Sequence, residues 1–165
     1  MPAKTAKFIP YRRENGGAKI TAYRKPHIPQ DNQKITLLRR HYMAKYRILL
    51  ADSNNQFQTT VRDYLTAQEG IERVDTVNDG QSALDAMNNN RYDVLLCDLI
   101  MPGMDGFELL ERLNSGLVKD VPAVIVISAL RQEEMVRQAC TLGAKYYMVK
   151  PIDPDTLYKR IMYMM

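Results

Sequence analysis

The sequence predicts an α/β domain with a doubly wound, five-stranded parallel sheet flanked by five helices and preceded by an N-terminal leader. Short apolar runs alternate with stretches whose apolar residues recur at helical spacing. The clearest of these runs are solidly apolar and do not alternate with polar residues, which is typical of strands covered on both faces. Strands that alternate with helices in this way form parallel sheets with right-handed crossovers.

The first half of the domain supplies three strands and two helices. Residues 47–51 form a short apolar run, and the apolar residues of the helix that follows are Phe57, Val61, Tyr64 and Leu65. A weaker strand over 73–77 precedes a helix with Ala83, Leu84 and Met87 on one side. Residues 93–97 form the third strand, because four of their five side chains are apolar.

The second half supplies the remaining elements. A Pro/Gly loop and a helix over 107–113 precede the most β-like run of the chain, residues 122–128. The next helix is lined by Met135, Val136, Ala139 and Cys140, and Gly143 is suited to end it. Residues 146–149 form the fifth strand. Asp153 can cap a last helix whose first residue is Pro154.

Residues 1–42 form a basic leader, and residues 43–165 form the folded domain. The leader contains ten Lys/Arg and two Asp/Glu, whereas the domain contains 13 Lys/Arg and 17 Asp/Glu, so their net charges are +8 and −4. The leader is interrupted by Pro and Gly and lacks a hydrophobic period, so we expect it to be disordered. Three interpretations stay open: a basic arm for nucleic acid or an anionic surface, an unstructured tail, or a misplaced start codon upstream of Met43.

The composition favours a globular protein of the cytoplasm. With 45% hydrophobic and 25% charged residues, the chain can bury a core. We expect no membrane span, because no run approaches about 18 apolar residues, and no secretory signal, because the basic N-terminus lacks an apolar centre. Cys97 and Cys140 are too few for a disulfide framework and are interpreted as reduced core residues.

The ends of four strands carry the residues that are able to take part in catalysis or binding. Strand one ends at Asp52, strand three at Asp98, strand four at Ser128 and strand five at Lys150. Functional residues of doubly wound sheets gather at the carboxyl ends of the strands. We therefore expect two acids, a hydroxyl and an amine to converge on one edge.

These groups suit phosphoryl transfer. Two carboxylates held close together stay ionised only with a cation between them, and Mg²⁺ is bound by one or two carboxylates together with a substrate phosphate. Lys150 adds a positive charge that can hold an anion, and Ser128 and the backbone N–H of Ala129 can donate hydrogen bonds to a phosphoryl group. Each residue also has a simpler explanation, such as a turn, a cap or a surface charge.

Three segments resemble bacterial two-component response regulator receiver domains, the CheY-like variant of the flavodoxin-like fold. LLCDLIMPGMDGFELL at residues 95–110 is similar to the phosphoacceptor segment, and VISAL and YYMVKP match the two other blocks of the family. The resemblance implies that Asp98 is the phosphoacceptor, that Asp52 is a direct Mg²⁺ ligand and that Ile100 offers its backbone carbonyl to the metal. It also implies a cis Lys150–Pro151 peptide and a Tyr147 side chain that moves inward on phosphorylation.

One departure from the family pattern concerns the metal. Receivers usually begin with two adjacent acids, whereas this chain has Ala51 and Asp52. We assign the missing acid to the position of Ala51. By the family pattern, this acid acts on the metal through water. Weaker Mg²⁺ affinity with retained phosphorylation is then expected.

The resemblance implies a signalling protein and not an enzyme. A histidine kinase or a histidine phosphotransfer protein is the expected phosphate donor, and the fourth helix, fifth strand and fifth helix form the expected output surface. ADSN, LIMPGMDG, LERL and LGAKYYMVKPID are similar to the receiver of the stage-zero sporulation master regulator of spore-forming bacteria. In that regulator a DNA-binding domain follows the receiver. This chain stops at Met165, and it is expected to be either a fragment or a stand-alone receiver. The acidic domain itself is not expected to bind nucleic acid. A homodimer formed through the last helices on phosphorylation is compatible with the sequence.

Three other functions agree less well with the sequence. A degenerate receiver that serves only as a protein-binding platform agrees with the missing acid but not with the intact Asp98, Ser128 and Lys150. An aspartate-nucleophile phosphatase needs a second acid two residues after the nucleophile, where this chain has Ile100. A flavin-binding module needs a Ser/Thr/Gly-rich loop after the first strand, where residues 52–56 read DSNNQ.

Overall fold

The computed structural model describes residues 8–9, 45–116 and 118–165. Its strands and helices follow in chain order: β1 (Phe8–Ile9), β2 (Tyr46–Ala51), α1 (Asn55–Thr66), β3 (Ile71–Val77), α2 (Gly80–Asn89), β4 (Val94–Cys97), α3 (Gly106–Asn114), β5 (Ala123–Ser128), α4 (Glu133–Thr141), β6 (Tyr146–Val149) and α5 (Pro154–Met164). The predicted alternation of five strands and five helices is confirmed.

The sheet has the strand order β1-β6-β5-β4-β2-β3. Strands β2 to β6 pair in parallel, which confirms the doubly wound prediction. The two-residue strand β1 pairs antiparallel with Tyr147 and Met148 at the β6 edge. This edge strand was not predicted, because the leader has no strand-like hydrophobic pattern. The other residues before position 45 lie outside the described part of the chain, and so does their predicted disorder.

The core consists of two apolar clusters, one on each face of the sheet. On one face, Ile48, Leu50, Leu96, Ile125 and Ile127 pack against the buried residues of α1 and α5. On the other face, the alternate residues of the same strands pack against α2, α3 and α4. Both faces of every central strand are therefore covered, which explains why these strands read as continuous apolar runs.

Side-chain caps fix the start of four of the five helices. Asn54, Asp79, Asp105 and Asp153 each accept a hydrogen bond from a backbone N–H in the first turn of the helix that they precede. Such caps satisfy donors that have no partner within the helix. The predicted Asp153 cap is confirmed, and α5 therefore begins directly after the loop that contains Lys150.

Two smaller predictions have definite outcomes. Gly143 has φ +106°, which a helix-ending glycine adopts easily. Cys97 is buried as predicted, whereas Cys140 is only partly buried; both thiols are free, and burial raises the pKa of each. Within the described ranges, no helix combines the length and the apolar character needed to span a membrane.

Candidate functional site

The predicted convergence of strand ends is present at the carboxyl edge of the sheet. Asp52 follows β2, Asp98 follows β4, Ser128 ends β5 and Lys150 follows β6. The Lys150 Nζ atom lies 2.6 Å from Asp52 Oδ2 and 2.6 Å from Asp98 Oδ2. One ammonium group thus bridges two carboxylates that come from different strands.

The bridge is largely shielded from solvent. Asp52 is 1% exposed and the Lys150 side chain is 19% exposed. Burial lowers the pKa of the Lys150 ammonium, but its hydrogen bonds to Asp52 and Asp98 and their negative charges outweigh this effect, so the pKa lies above its ordinary value of 10.5. The Phe57 ring, with its centroid 4.6 Å from Lys150 Nζ, covers the ammonium as a cation–π partner. From the sequence alone, Phe57 is expected only to be an apolar residue of this helix.

The second oxygen of each carboxylate accepts a backbone hydrogen bond. Asp52 Oδ1 accepts from the Asn54 N–H at 2.8 Å, and Asp98 Oδ1 accepts from the Ile100 N–H at 3.1 Å. Both carboxylates are therefore oriented by their own loops as well as by Lys150. A fixed orientation of this kind suits a nucleophilic carboxylate or a metal ligand.

Ser128 and Tyr147 are connected by hydrogen bonds to the backbone of Leu130. The fully buried Ser128 Oγ accepts a hydrogen bond from the Leu130 N–H at 3.4 Å, and the Tyr147 hydroxyl donates to the Leu130 carbonyl at 2.9 Å. Tyr147 is 1% exposed, and burial is the main reason why the pKa of its hydroxyl is raised. The side chain already points inward in this structure. Ala129 is exposed directly after Ser128.

The position of the missing acid differs from the sequence assignment. Ala51 is a fully buried residue of β2 and belongs to the apolar core, so a carboxylate there would point away from the site. The exposed Ser53 instead donates a hydrogen bond from its hydroxyl to the Ile100 carbonyl at 3.4 Å. The assignment of the missing acid to Ala51 is therefore wrong, and Ser53 is the neighbour of Asp52 that faces the site.

A glycine brings α3 close to the Asp98 loop. A Cβ atom added to Gly106 would overlap the carbonyl oxygen of Asp98 and would lie 2.7 Å from the Cα atom of Leu99. The Gly106 N–H also donates to the Leu99 carbonyl at 3.1 Å. Only a residue without a side chain permits this contact. The predicted cis peptide between Lys150 and Pro151 is present.

The oxygen atoms of the site suit a hard divalent cation. The carboxylates of Asp52 and Asp98, the carbonyl of Ile100 and the hydroxyl of Ser53 are the ligand types that Mg²⁺ prefers, with water completing the coordination. In the part of the chain that the structure describes, no three His, Cys, Asp or Glu residues form a group that could hold a metal. The carboxylate count is thus at the lower end of what Mg²⁺ uses.

Comparisons with known proteins agree with this fold. Residues 48–162 match the family model described as the response regulator receiver domain. The receiver domain of the Francisella response regulator 1452 is 30% identical with a TM-score of 0.66, and the match covers 73% of this chain and 98% of that chain. The chemotaxis protein CheY4 of Vibrio cholerae is 26% identical with a TM-score of 0.67, over 74% of this chain and 100% of that chain. The signal receiver domain of the putative response regulator NarL from Mycobacterium tuberculosis is 27% identical with a TM-score of 0.67, over 73% and 96%.

Proposed function

We propose a phosphoacceptor function from one premise: the chain belongs to the response regulator receiver domain family. In this proposal Asp98 accepts a phosphoryl group from the phosphohistidine of a histidine kinase or a histidine phosphotransfer protein. The observation that carries the proposal is the contact of Lys150 Nζ with Asp98 Oδ2 at 2.6 Å. It places a fixed positive charge on the carboxylate that would receive the phosphoryl anion.

The transfer forms one bond and breaks one. A carboxylate oxygen of Asp98 bonds to phosphorus while the N–P bond of the donor breaks, and the electron pair stays on the imidazole, which then takes a proton from water. Lys150 offsets the negative charge that arrives on Asp98. Ser128 and the backbone N–H of Ala129 donate hydrogen bonds to phosphoryl oxygens once the Ser128 hydroxyl turns away from Leu130.

Asp52, Asp98 and the Ile100 carbonyl are the proposed protein ligands of Mg²⁺. When bound, Mg²⁺ neutralises charge on the transferring phosphoryl group. The binding is testable without phosphorylation, because Mn²⁺ can substitute for Mg²⁺ and free Mn²⁺ can be counted by electron paramagnetic resonance. Weak binding is expected, since Ser53 contributes a hydroxyl where a carboxylate would contribute charge.

The proposed output is a shift between two conformations of the surface formed by α4, β6 and α5. Phosphorylation draws Ser128 toward the phosphoryl group and thereby favours the inward position of Tyr147. Because Tyr147 already points inward in this structure, phosphorylation would stabilise a conformation that the chain reaches without it. This is a population shift, whose size depends on how differently the two conformations bind the phosphoryl group.

Several finer parts of the proposal rest on the family and on short segments of similar sequence. The segments similar to sporulation receivers support a place in a phosphorelay that controls sporulation. The chain would act in the cytoplasm as a signalling phosphoacceptor, with at most slow hydrolysis of its own acyl phosphate. We also propose that phosphorylation leads to a homodimer formed through the last helices. The domain itself is not proposed to bind nucleic acid.

A second candidate is a receiver that binds partners without being phosphorylated. The observation that favours it is Ser53 at the site, because a lost carboxylate weakens metal binding. The contact of Lys150 with Asp98 favours the phosphoacceptor function instead, because a protein that only binds partners does not need a positive charge on this carboxylate.

The deciding experiment is incubation of the full chain with acetyl phosphate and Mg²⁺, followed by intact-mass measurement. We expect a phosphoryl mass gain in the wild type that is absent in Asp98→Asn and absent when EDTA removes the metal. Equal gain in wild type and Asp98→Asn would refute the acceptor assignment. Absence of gain in the wild type would favour the binding platform.

A further inference from the structure

Gln58 is a buried polar residue that the proposed chemistry leaves unused. Among the described residues, the buried polar or charged side chains are Asp52, Gln58, Asp98 and Ser128. Three of these four belong to the candidate site. Gln58 lies in α1 and is 6% exposed, although most glutamine side chains on helices are solvated.

The amide of Gln58 connects the ends of two strands. Its Nε2 group donates to the Asp52 carbonyl, to the Val77 carbonyl at 2.7 Å and to Asn78 Oδ1 at 2.8 Å. The Asp52 N–H also donates to the Val77 carbonyl at 3.0 Å. The peptide groups on both sides of the Asp52 Cα atom are thus fixed, one by β3 and the other by Gln58.

The donor count indicates which of these hydrogen bonds matter. An amide nitrogen carries two hydrogens, so it cannot serve three acceptors at once. Asn78 is exposed and its oxygen can bind water, whereas the Asp52 carbonyl is buried beside the site. One hydrogen therefore goes to the buried Asp52 carbonyl, whereas the Val77 carbonyl also accepts from the Asp52 N–H and Asn78 can bind water instead.

We propose that Gln58 is a positioning residue for the Asp52 carboxylate. By holding the backbone of Asp52, Gln58 sets the direction in which its carboxylate meets Lys150 and the divalent cation. The inference rests on the proposed function where it concerns the cation, and on the hydrogen bonds alone where it concerns Asp52. Gln58 does not contact the phosphoryl group.

The variant Gln58→Met keeps the length of the side chain and removes both donors. Partners that orient a metal ligand typically contribute about 10- to 100-fold to metal affinity, so we expect the Mn²⁺ affinity of Gln58→Met to fall at least about 10-fold. The Asn54 amide gives a metal-free readout, because it donates to Asp52 Oδ1 at 2.8 Å. Its hydrogen exchange, followed by NMR without metal, is expected to accelerate about 10-fold relative to the global opening rate.

Two controls separate positioning from stability. Leu65→Ala removes a fully buried apolar side chain from the same helix without touching Asp52, so it lowers stability but leaves Mn²⁺ affinity and local Asn54 exchange unchanged. Gln58→Arg restores donors, since a guanidinium carries five N–H groups, and is expected to bind Mn²⁺ within about threefold of the wild type.

The outcomes distinguish this inference from the proposed function. Gln58→Met with wild-type Mn²⁺ affinity and wild-type Asn54 exchange overturns the positioning role while phosphorylation of the wild type remains. Equal losses of affinity in Gln58→Met and Leu65→Ala also overturn it, because general loosening then explains both. A wild type that binds no Mn²⁺ refutes the metal part of the proposed function, and Asn54 exchange then decides the role of Gln58 by itself.

Discussion

Replacement of Lys150 by methionine tests the electrostatics of the site. Lys150 Nζ contacts both carboxylates at 2.6 Å, so the two carboxylate oxygens lie within about 5 Å of each other. At an effective dielectric constant of about 20, two such charges repel by about 3 kcal/mol once the ammonium is gone. Removal of one partner from a buried ion pair has comparable measured effects of about 3–5 kcal/mol. We therefore expect Lys150→Met to lower the free energy of unfolding by about 3 kcal/mol at pH 7 without divalent metal.

The assay is urea denaturation of the full chain at low ionic strength, because urea does not screen charges. The pH dependence of the wild type at alkaline pH gives a second readout. The pKa of Lys150 is raised above 10.5 in the folded protein, so the stability from the ion pair is fully present below pH 10.5 and is lost as the pH rises through the folded pKa.

A matched control uses the same substitution at the surface. Lys159 pairs with Asp155 one helical turn away in α5, and both side chains are exposed. Lys159→Met is expected to change stability far less than Lys150→Met. Mg²⁺ is expected to restore more stability to Lys150→Met than to the wild type, because it neutralises the carboxylates that the ammonium has left. A Lys150→Met variant as stable as the wild type at pH 7 would refute this reasoning.

Four further substitutions test three other parts of the structure. Ser53→Asp places a carboxylate beside the Ile100 carbonyl and is expected to raise Mn²⁺ affinity at least about 10-fold, measured by electron paramagnetic resonance. Ala51→Asp buries a charge in the core instead, so it is expected to lower stability by about 3 kcal/mol without raising Mn²⁺ affinity. Gly106→Ala pushes α3 away from the Asp98 loop and is expected to lower stability by about 2 kcal/mol in urea and to slow phosphorylation by acetyl phosphate. Tyr147→Phe removes the hydroxyl that donates to Leu130 and is expected to lower stability by about 1 kcal/mol in urea.

Each of these three tests has an outcome that contradicts its basis. Equal Mn²⁺ affinity in Ser53→Asp and wild type would mean that position 53 does not face the cation. Wild-type stability of Gly106→Ala would mean that α3 can move away from Asp98 without penalty. An unchanged stability of Tyr147→Phe would place its hydroxyl in water and not against the Leu130 carbonyl.

The fold and the site edge were predictable from the sequence for a physical reason. Strands buried on both faces leave uninterrupted apolar runs, and the residues that end these runs must meet at one edge of a parallel sheet. Asp52, Asp98, Ser128 and Lys150 were identified in this way. The contacts of Lys150 with Asp52 and Asp98 agree with that reasoning.

The features that were predicted wrongly or not at all depend on the direction of side chains beyond the strand ends. Periodicity does not show that Ala51 still faces the core while Ser53 faces the site, because the strand ends between them. The sequence pattern does not single out Gln58, and only the packing of α1 on the ends of β2 and β3 reveals its acceptors. The contact of Phe57 with Lys150 was hidden for the same reason, since an aromatic residue at helical spacing reads as core.

The acyl phosphate itself provides the most direct test of the account. The chain is incubated with acetyl phosphate and Mg²⁺, the product is reduced with borohydride, and the reduced residue is located by peptide mass spectrometry. Reduction converts an aspartyl phosphate to homoserine, and we expect homoserine at position 98 alone. Homoserine at position 52, or a stable phosphoryl group on Ser128 with position 98 unmodified, would contradict the claim that the Lys150-bridged carboxylate of Asp98 is the acceptor.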